Sequence, residues 1–225
     1  ALEELKNVMN KKRVFIVTDT FLYENGYTKV VTNKLDEMGI VHETFFNVAP
    51  DPTLACAKEG AKLIDAFKPD CIIAIGGGSA MDAAKIMAIF YEYPQLTFDD
   101  LRAGKIPQNR NMLKFIAIPT TSGTASEVTR ASVVTCRRDN IKIGLKSDAF
   151  VPDVAILDPT LTMTMPKKIV AETGMDAMTH AVEAYCNEAV EDFTEVLARG
   201  AVGGLYKYLP ISYHEETLQS REKVH

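Results

Sequence analysis

The 225 residues predict an α/β fold, a parallel-sheet domain followed by an all-helical segment. Short β-branched runs alternate with stretches of helical spacing, and the alternation repeats three times in succession. After "DPTLTMTMP" (158–166) the strand pattern stops and helical periodicity takes over. Parallel strands need helical crossovers, so three consecutive βα units make a parallel sheet the expected core.

In chain order, "RVFIVTD" (13–19) is a strand ending in an acid. "ENGYTKVVTNKLDEMG" (24–39) has helical spacing and a terminal glycine. "VHETFF" (41–46) is a second strand and "PTLACAKEGAKLIDAFK" (52–68) a second helix. "PDCIIAIGGGSAMDAAKIMAIFYEY" (69–93) reads as a buried strand, a glycine turn and a third helix. "KFIAIPTTSG" (114–123) is a fourth strand ending in a polar turn. "EVTRASVVTC" (127–136) and "IKIGLK" (141–146) form a hairpin, and "VAILD" (154–158) adds a strand. The expected division is residues 1–160 as the α/β domain and 161–225 as the start of a helical one.

Composition excludes several function classes. A formal net charge of −5 without a Lys/Arg cluster argues against nucleic acid. No apolar run reaches the roughly 20 residues of a membrane span, and the start "ALEELKNVMNKKR" lacks the apolar core of a signal peptide. A cytoplasmic protein with no membrane partner is the expectation. Cys56, Cys71, Cys136 and Cys186 form no CxxC pair and are expected as reduced, buried thiols.

The loop "IGGGSAMDAAK" (75–85) follows a buried strand and opens a helix. Its glycines allow close backbone approach, and the helix N-terminus carries partial positive charge, so a phosphate or pyrophosphate fits there. Met81 breaks the GxGxxG pattern and no GK[ST] follows. The bland alternative is a tight turn with Ser79 as N-cap and Asp82 as a first-turn acid. "PTTSGTASE" (119–127) follows the next strand and should emerge at the same carboxyl edge of the sheet, where ligands bind in such folds. Two coincident turns favour a Rossmann-like nucleotide-binding domain. Asp19 ends the first strand at that edge; it can accept from the adenosine ribose hydroxyls and repel a 2'-phosphate, or simply cap a helix. Lys142 alone reads as a solvated surface lysine.

In "AETGMDAMTHAVEAY" (171–185), Asp176 and His180 stand four apart, so on a helix they project side by side and can reach one ion. A carboxylate and an imidazole suit Zn or Fe(II). Two ligands do not complete a site, and His42, His214 and His225 show no partnered spacing.

Together "AIGGGSAMDAAK", "AIPTTSGTASEVT", "DPTLTMTMP" and "TGMDAMTHAVEAY", in this order, strongly resemble the iron-containing (group III) alcohol dehydrogenases. The resemblance runs from about Val14 to the C-terminus. "FYEYP" and "REKVH" look like the branch holding butanol-type dehydrogenases and the alcohol dehydrogenase half of bifunctional aldehyde-alcohol dehydrogenases.

The resemblance implies a nucleotide-binding domain followed by a helical metal-binding domain. It makes Asp19 the adenine-ribose residue, Gly77, Gly78 and Ser79 the pyrophosphate loop, and Asp82 a further contact. Thr120 and Thr121 match positions near the phosphates and nicotinamide, and Lys142 a cofactor-contacting lysine. Asp176 and His180 match the first two metal ligands. The other two, histidines of an HxxxH motif and a later His, belong downstream of "REKVH", as does the histidine thought to relay the proton. His225 matches a position before that motif and is no ligand.

The implied parent is an NAD(H)-dependent enzyme with Fe(II), or Zn, that interconverts a primary alcohol and its aldehyde. Alternatives are a glycerol-dehydrogenase-like or dehydroquinate-synthase-like enzyme on the same fold, or a non-catalytic dinucleotide-binding fragment. The 225 residues are expected to show little turnover by themselves, and association between chains into a homo-oligomer is expected to cover apolar helical surface.

Overall fold

The structure is a computed structural model that describes residues 2–7, 10–137 and 139–225. It divides into two compact units, Ala1–Pro119 with Ser126–Ile156, and Thr120–Ala125 with Leu157–His225. The α/β unit runs α1 (Glu4–Asn7), β1 (Arg13–Asp19), α2 (Thr20–Glu24), α3 (Lys29–Glu37), β2 (Val41–Val48), α4 (Leu54–Phe67), β3 (Cys71–Gly76), α5 (Gly78–Glu92), α6 (Phe98–Arg102), β4 (Lys114–Pro119), β5 (Ala131–Cys136), β6 (Ile141–Lys146) and β7 (Val154–Ala155). Its main sheet has the order β2-β1-β3-β4-β7, with every pairing parallel. Strands β5 and β6 pair antiparallel as a separate hairpin. The expected α/β class with a parallel sheet is therefore the observed one.

The central strands read as continuous apolar runs because helices cover both faces. Val14, Phe15, Ile16 and Val17 of β1 are buried, as is all of β3. Their register is set by pairs such as Phe15↔Ile72 and Ile72↔Phe115. Helix α5 is the centre of the packing: Ala80, Met81 and every residue from Ala83 to Tyr91 is buried. Gly60 on α4 lets the two helices approach, since a Cβ there would overlap Met87 Sδ.

Of the helix expected over 24–39 only Lys29–Glu37 forms, and a separate short helix precedes it. The Asp19 side chain caps α2 at Thr20–Glu24, Gly26 takes φ +75, and α3 starts only at Lys29. A left-handed glycine ends one helical turn before the next begins, and the periodicity runs across that break. The strand expected within 114–123 ends at Pro119, before its polar turn, as the residues suggested, whereas of 154–158 only Val154 and Ala155 pair. The four cysteines are free; Cys71 and Cys136 are buried and Cys186 is exposed. Among the described residues no helix is long and apolar enough to cross a membrane.

The helical unit holds α7 (Lys167–Tyr185), α8 (Asp192–His214) and α9 (Leu218–Val224), preceded by a 3-10 turn at Pro159–Thr162. Asp158 caps that turn through Thr160 N at 3.0 Å. Gly174 on α7 faces Leu209 on α8, and a Cβ there would overlap the leucine methyls. Met165, Val170 and Leu209 form a small core beneath.

One polar residue stitches the start of β4. Asp153 Oδ2 accepts from Phe115 N at 2.8 Å and Arg110 Nη2 at 2.7 Å, and Oδ1 accepts from Lys114 Nζ at 2.8 Å. Burial pushes this carboxyl up, but the Lys114, Phe115 N–H and Arg110 donors outweigh it and hold it below its ordinary 3.8. The folded value lies below the unfolded one, so the stabilisation is present above the ordinary Asp range and is lost as pH falls through the lowered value. Asp153→Ala should lower stability to urea by about 2–3 kcal/mol at neutral pH, the scale of hydrogen bonds to a charged group. The difference from wild type should close in acid, and a difference that stays constant with pH contradicts the assignment.

Candidate functional site

At the end of β3 the backbone of Gly76 has φ +152, and a Cβ there would sit 2.8 Å from Ala80 Cβ. Glycine is therefore needed both for the dihedral and for the space. Helix α5 begins one residue after Gly77, which is its N-cap and carries no side-chain cap. Ser79 lies inside the first turn, so its expected alternative role as the cap is corrected: the turn closes on the Gly77 carbonyl, which accepts from Ala80 N at 3.1 Å. With no side-chain acceptor at this cap, the first amides of α5 are available to an anion.

Asp19 stands beside this turn. Its Oδ1 accepts from Leu22 N at 2.9 Å, capping α2, while Oδ2 lies 3.5 Å from the Cβ position of Gly76. The capping role and an acceptor facing the glycine turn are thus both present in one carboxylate. The register pairs Gly76 with Pro119, so β3 and β4 end level and the glycine and threonine turns leave from neighbouring strand ends.

Asp82 is turned into the interior. Its Oδ1 accepts from Ser126 Oγ at 2.8 Å and its Oδ2 from Val133 N at 2.9 Å. One turn further on α5, Lys85 is 1% exposed, and its Nζ donates to Ser126 Oγ (2.9 Å), Thr129 O (3.1 Å), Thr129 Oγ1 (3.2 Å) and Ala131 O (2.8 Å). Burial pushes the Asp82 carboxyl up and the Lys85 ammonium down to about 8, against the opposing pull of each on the other. Lys142 on β6 extends to Asp51 Oδ1 at 2.7 Å, with both side chains more than half exposed.

In the helical unit, Thr120 is buried and Thr121 half-buried. Gly123 presses this turn onto α7, where a Cβ would meet Thr173 O at 2.5 Å, and Ser122 Oγ hydrogen-bonds His225 Nδ1 at 2.9 Å. Burial lowers the His225 pKa from its ordinary value, against the opposing pull of Asp158. On α7, His180 Nε2 lies 3.6 Å from Asp176 Oδ1, with both side chains about half exposed. Two ligands about 2.1 Å from a tetrahedral ion stand about 3.4 Å apart, so this donor pair fits one metal. Among the described residues no third His, Cys, Asp or Glu joins them.

Comparison with known proteins decides the family. A family model described as iron-containing alcohol dehydrogenase matches residues 1–159, and one for the C-terminal part of the same family matches 170–225. The chain belongs to the iron-containing alcohol dehydrogenase family. It is 46% identical over 225 residues to the bifunctional aldehyde-alcohol dehydrogenase of Escherichia coli, covering 95% of this chain and 25% of that protein. It is 44% identical to the NADPH-dependent butanol dehydrogenase of Clostridium saccharobutylicum, covering 100% of this chain and 58% of that one. The solved sulfoacetaldehyde reductase of Bifidobacterium kashiwanohense, in complex with NAD+, superposes with TM-score 0.91 at 34% identity, over 99% of this chain and 59% of that one. The iron-containing alcohol dehydrogenase of Thermococcus thioreducens superposes with TM-score 0.89 at 30% identity, over 100% of this chain and 60% of that one. The chain thus spans between a quarter and about three fifths of these relatives.

Within this family framework, residue patterns alone overlooked Lys85, Ser126 and Ser122. A usable signal existed for Lys85: a helix apolar on every face is buried, so an Asp and a Lys within it must be partnered inside the protein. The oxygens that partner them lie more than 40 residues downstream and leave no periodic trace.

Two outcomes test this geometry. Gly76→Ala should lose about 1–3 kcal/mol of stability, read by urea unfolding, because alanine is strained at this φ. Lys85 releases its proton near 8 when folded, against an ordinary 10.5, with Asp82, Glu127 and Arg110 the charges that face it. Between those values the unfolded chain binds more protons, so stability should rise with pH across that window. The rise should be absent in Lys85→Met; an identical pH profile for both proteins contradicts the burial of this ammonium.

Proposed function

We propose that this chain carries the dinucleotide-binding part and two metal ligands of an NAD(H)-dependent, iron-dependent dehydrogenase that interconverts a primary alcohol and its aldehyde. The observation that supports this most directly is the start of α5, without a side-chain cap, beside Asp19 Oδ2, in a chain matched along nearly its whole length by the family. The amides of Gly77, Gly78 and Ser79 hold the pyrophosphate, assisted by the positive end of the helix. Asp19 Oδ2 accepts from the ribose hydroxyls and disfavours a 2'-phosphate. This sets the chain apart from the NADPH dependence named for the clostridial butanol dehydrogenase and agrees with the NAD+ named for the bifidobacterial reductase.

Thr120 and Thr121 offer hydroxyls near the cofactor phosphates and nicotinamide. Lys142 reaches the cofactor by leaving Asp51, an exchange that costs little because an exposed ion pair contributes about 0–1 kcal/mol. Asp82 contributes through protein contacts, since its oxygens face Ser126 and Val133.

Asp176 and His180 hold Fe(II), the metal for which the family is named. Held there, Fe(II) would supply Lewis acidity toward the substrate oxygen and the dinucleotide would supply or take the hydride. The role of these two residues is to place that ion on one face of α7, whose position is fixed by Gly174 against Leu209. Short primary alcohols fit best, as butanol and 1-propanol dehydrogenases are named among the relatives.

NADH should bind the chain more tightly than NADPH by at least about tenfold, and Asp19→Ala should abolish that preference. Equal affinities for the two in the unsubstituted chain would remove Asp19 from its role. In the parent protein, iron measured by elemental analysis should fall by at least about tenfold in His180→Ala. Unchanged iron, or zinc in its place, overturns the metal assignment. Turnover of NADH with butanal or propanal, but not of NAD+ with glycerol, is the expected substrate pattern.

A further inference from the structure

The stretch that leaves the threonine turn, residues 126–130, belongs to no helix or strand, and β5 begins only at Ala131. Its far end is tied by Ser147 N, which donates to Arg130 O at 2.9 Å, and by Arg130 Nε, 3.2 Å from Asp148 Oδ1. Toward Ser126 the holding groups come from one turn of α5. Lys85 Nζ has four oxygen neighbours at 2.8–3.2 Å, drawn from Ser126, Thr129 and Ala131. Asp82 takes the Ser126 hydroxyl and the Val133 amide, and its own carbonyl accepts from Ser132 Oγ at 3.0 Å.

Ser126 Oγ is the shared atom, accepting from the ammonium and donating to the carboxylate. The two charges are therefore joined through the segment they hold, and neither is a simple ion pair with the other. An ammonium has three donors, so the Thr129 carbonyl and hydroxyl share one. The arrangement has the form of an oxygen-lined cation site whose cation is tethered to the helix that starts at the glycine turn. A buried charge persists only when its donors are met, and this ammonium is met by four neutral oxygens, with the Asp82 carboxylate one hydroxyl away.

We propose that Asp82 and Lys85 are positioning residues for the dinucleotide site: they anchor residues 126–133 to α5 and so fix the point, Ser126, at which the threonine turn ends. The proposal rests on the dinucleotide reading given above. Asp82 acts on cofactor affinity through Ser126 and Val133, without touching the cofactor. Removal of the ammonium strands the Thr129 and Ala131 carbonyls without their donor and frees the segment. The turn that carries Thr120 and Thr121 then loses its fixed end.

Lys85→Ala in the 225-residue chain tests this, because the deleted atoms correspond to n-propylammonium. NADH affinity is read by fluorescence and the anchoring by amide hydrogen exchange. The substitution should raise the NADH Kd at least about tenfold and speed exchange of the Val133 amide at least about tenfold, with β1 and β3 unchanged. Added n-propylammonium should restore both, and propan-1-ol neither.

Weakened NADH binding with unaltered exchange over 126–133 would mean direct cofactor contact and overturns the proposal. Faster exchange with an unchanged Kd reduces the pair to a structural role and overturns it equally, as does rescue by the alcohol. Should the variant not fold, Ser126→Ala removes only the shared hydroxyl and should shift both readings about threefold in the same directions; no shift in either overturns the proposal. Absence of NADH binding by the unsubstituted chain defeats the dinucleotide reading and the cofactor half of this one. Exchange and amine rescue then still decide the anchoring half.

Discussion

Burial of α5 on all its faces is the constraint from which most of the α/β unit follows. A helix with no side toward water must satisfy each polar atom from within the protein, and α5 carries both an aspartate and a lysine. The solution draws in the irregular segment after Ser126 and the first residues of β5. It also sets where the hairpin lies, because Val133 N and Ala131 O, on the strand itself, are among the partners. The same helix begins at the glycine turn, so the element that offers amides to an anion is also the most firmly packed one. Rigid support of this kind suits a site that must meet a pyrophosphate with fixed amide positions.

Small residues set the remaining distances. Gly60 brings α4 against α5, Gly123 brings the threonine turn against α7, and Gly174 brings α7 against α8. In each case a Cβ would enter occupied space, which makes these glycines packing residues with no need of unusual dihedrals. Gly76 differs, being constrained by dihedral and by Ala80 together. The consequence for the helical unit is that Asp176, two residues beyond Gly174, sits on a helix whose placement is fixed by backbone-close contact. Its pairing with His180 follows from helical spacing, and its exposure leaves both donors open to a ligand.

The strands were the most legible part of the chain. Runs such as 14–17 and 71–75 are apolar and buried, and the strands that hold them end in an acid and in glycines. Helix limits were harder to read near a turn: Gly26 lies in the turn between Thr20–Glu24 and Lys29–Glu37, so the helix expected from residue 24 starts only at Lys29. Asp19 was legible as either a cap or a ligand-facing acid, and its two oxygens divide those roles. Lys142 reads as solvated when taken alone and as a cofactor contact through the resemblance, and its neighbour Asp51, 91 positions away, could not be foreseen from either local pattern.

What the sequence by itself determined was the local order: which segments are strands and helices, that the sheet is parallel, that a glycine turn opens a helix, and that Asp176 and His180 share a helix face. These depend on short-range periodicity and on the few residues that turns require. Only the tertiary structure decided that Asp82 faces inward, that Lys85 is a buried ammonium, and that residues 120–125 group with the helical unit. Those outcomes depend on oxygens and amides far along the chain, and a charged side chain shows in sequence only its own chemistry, never the partner that burial obliges it to find.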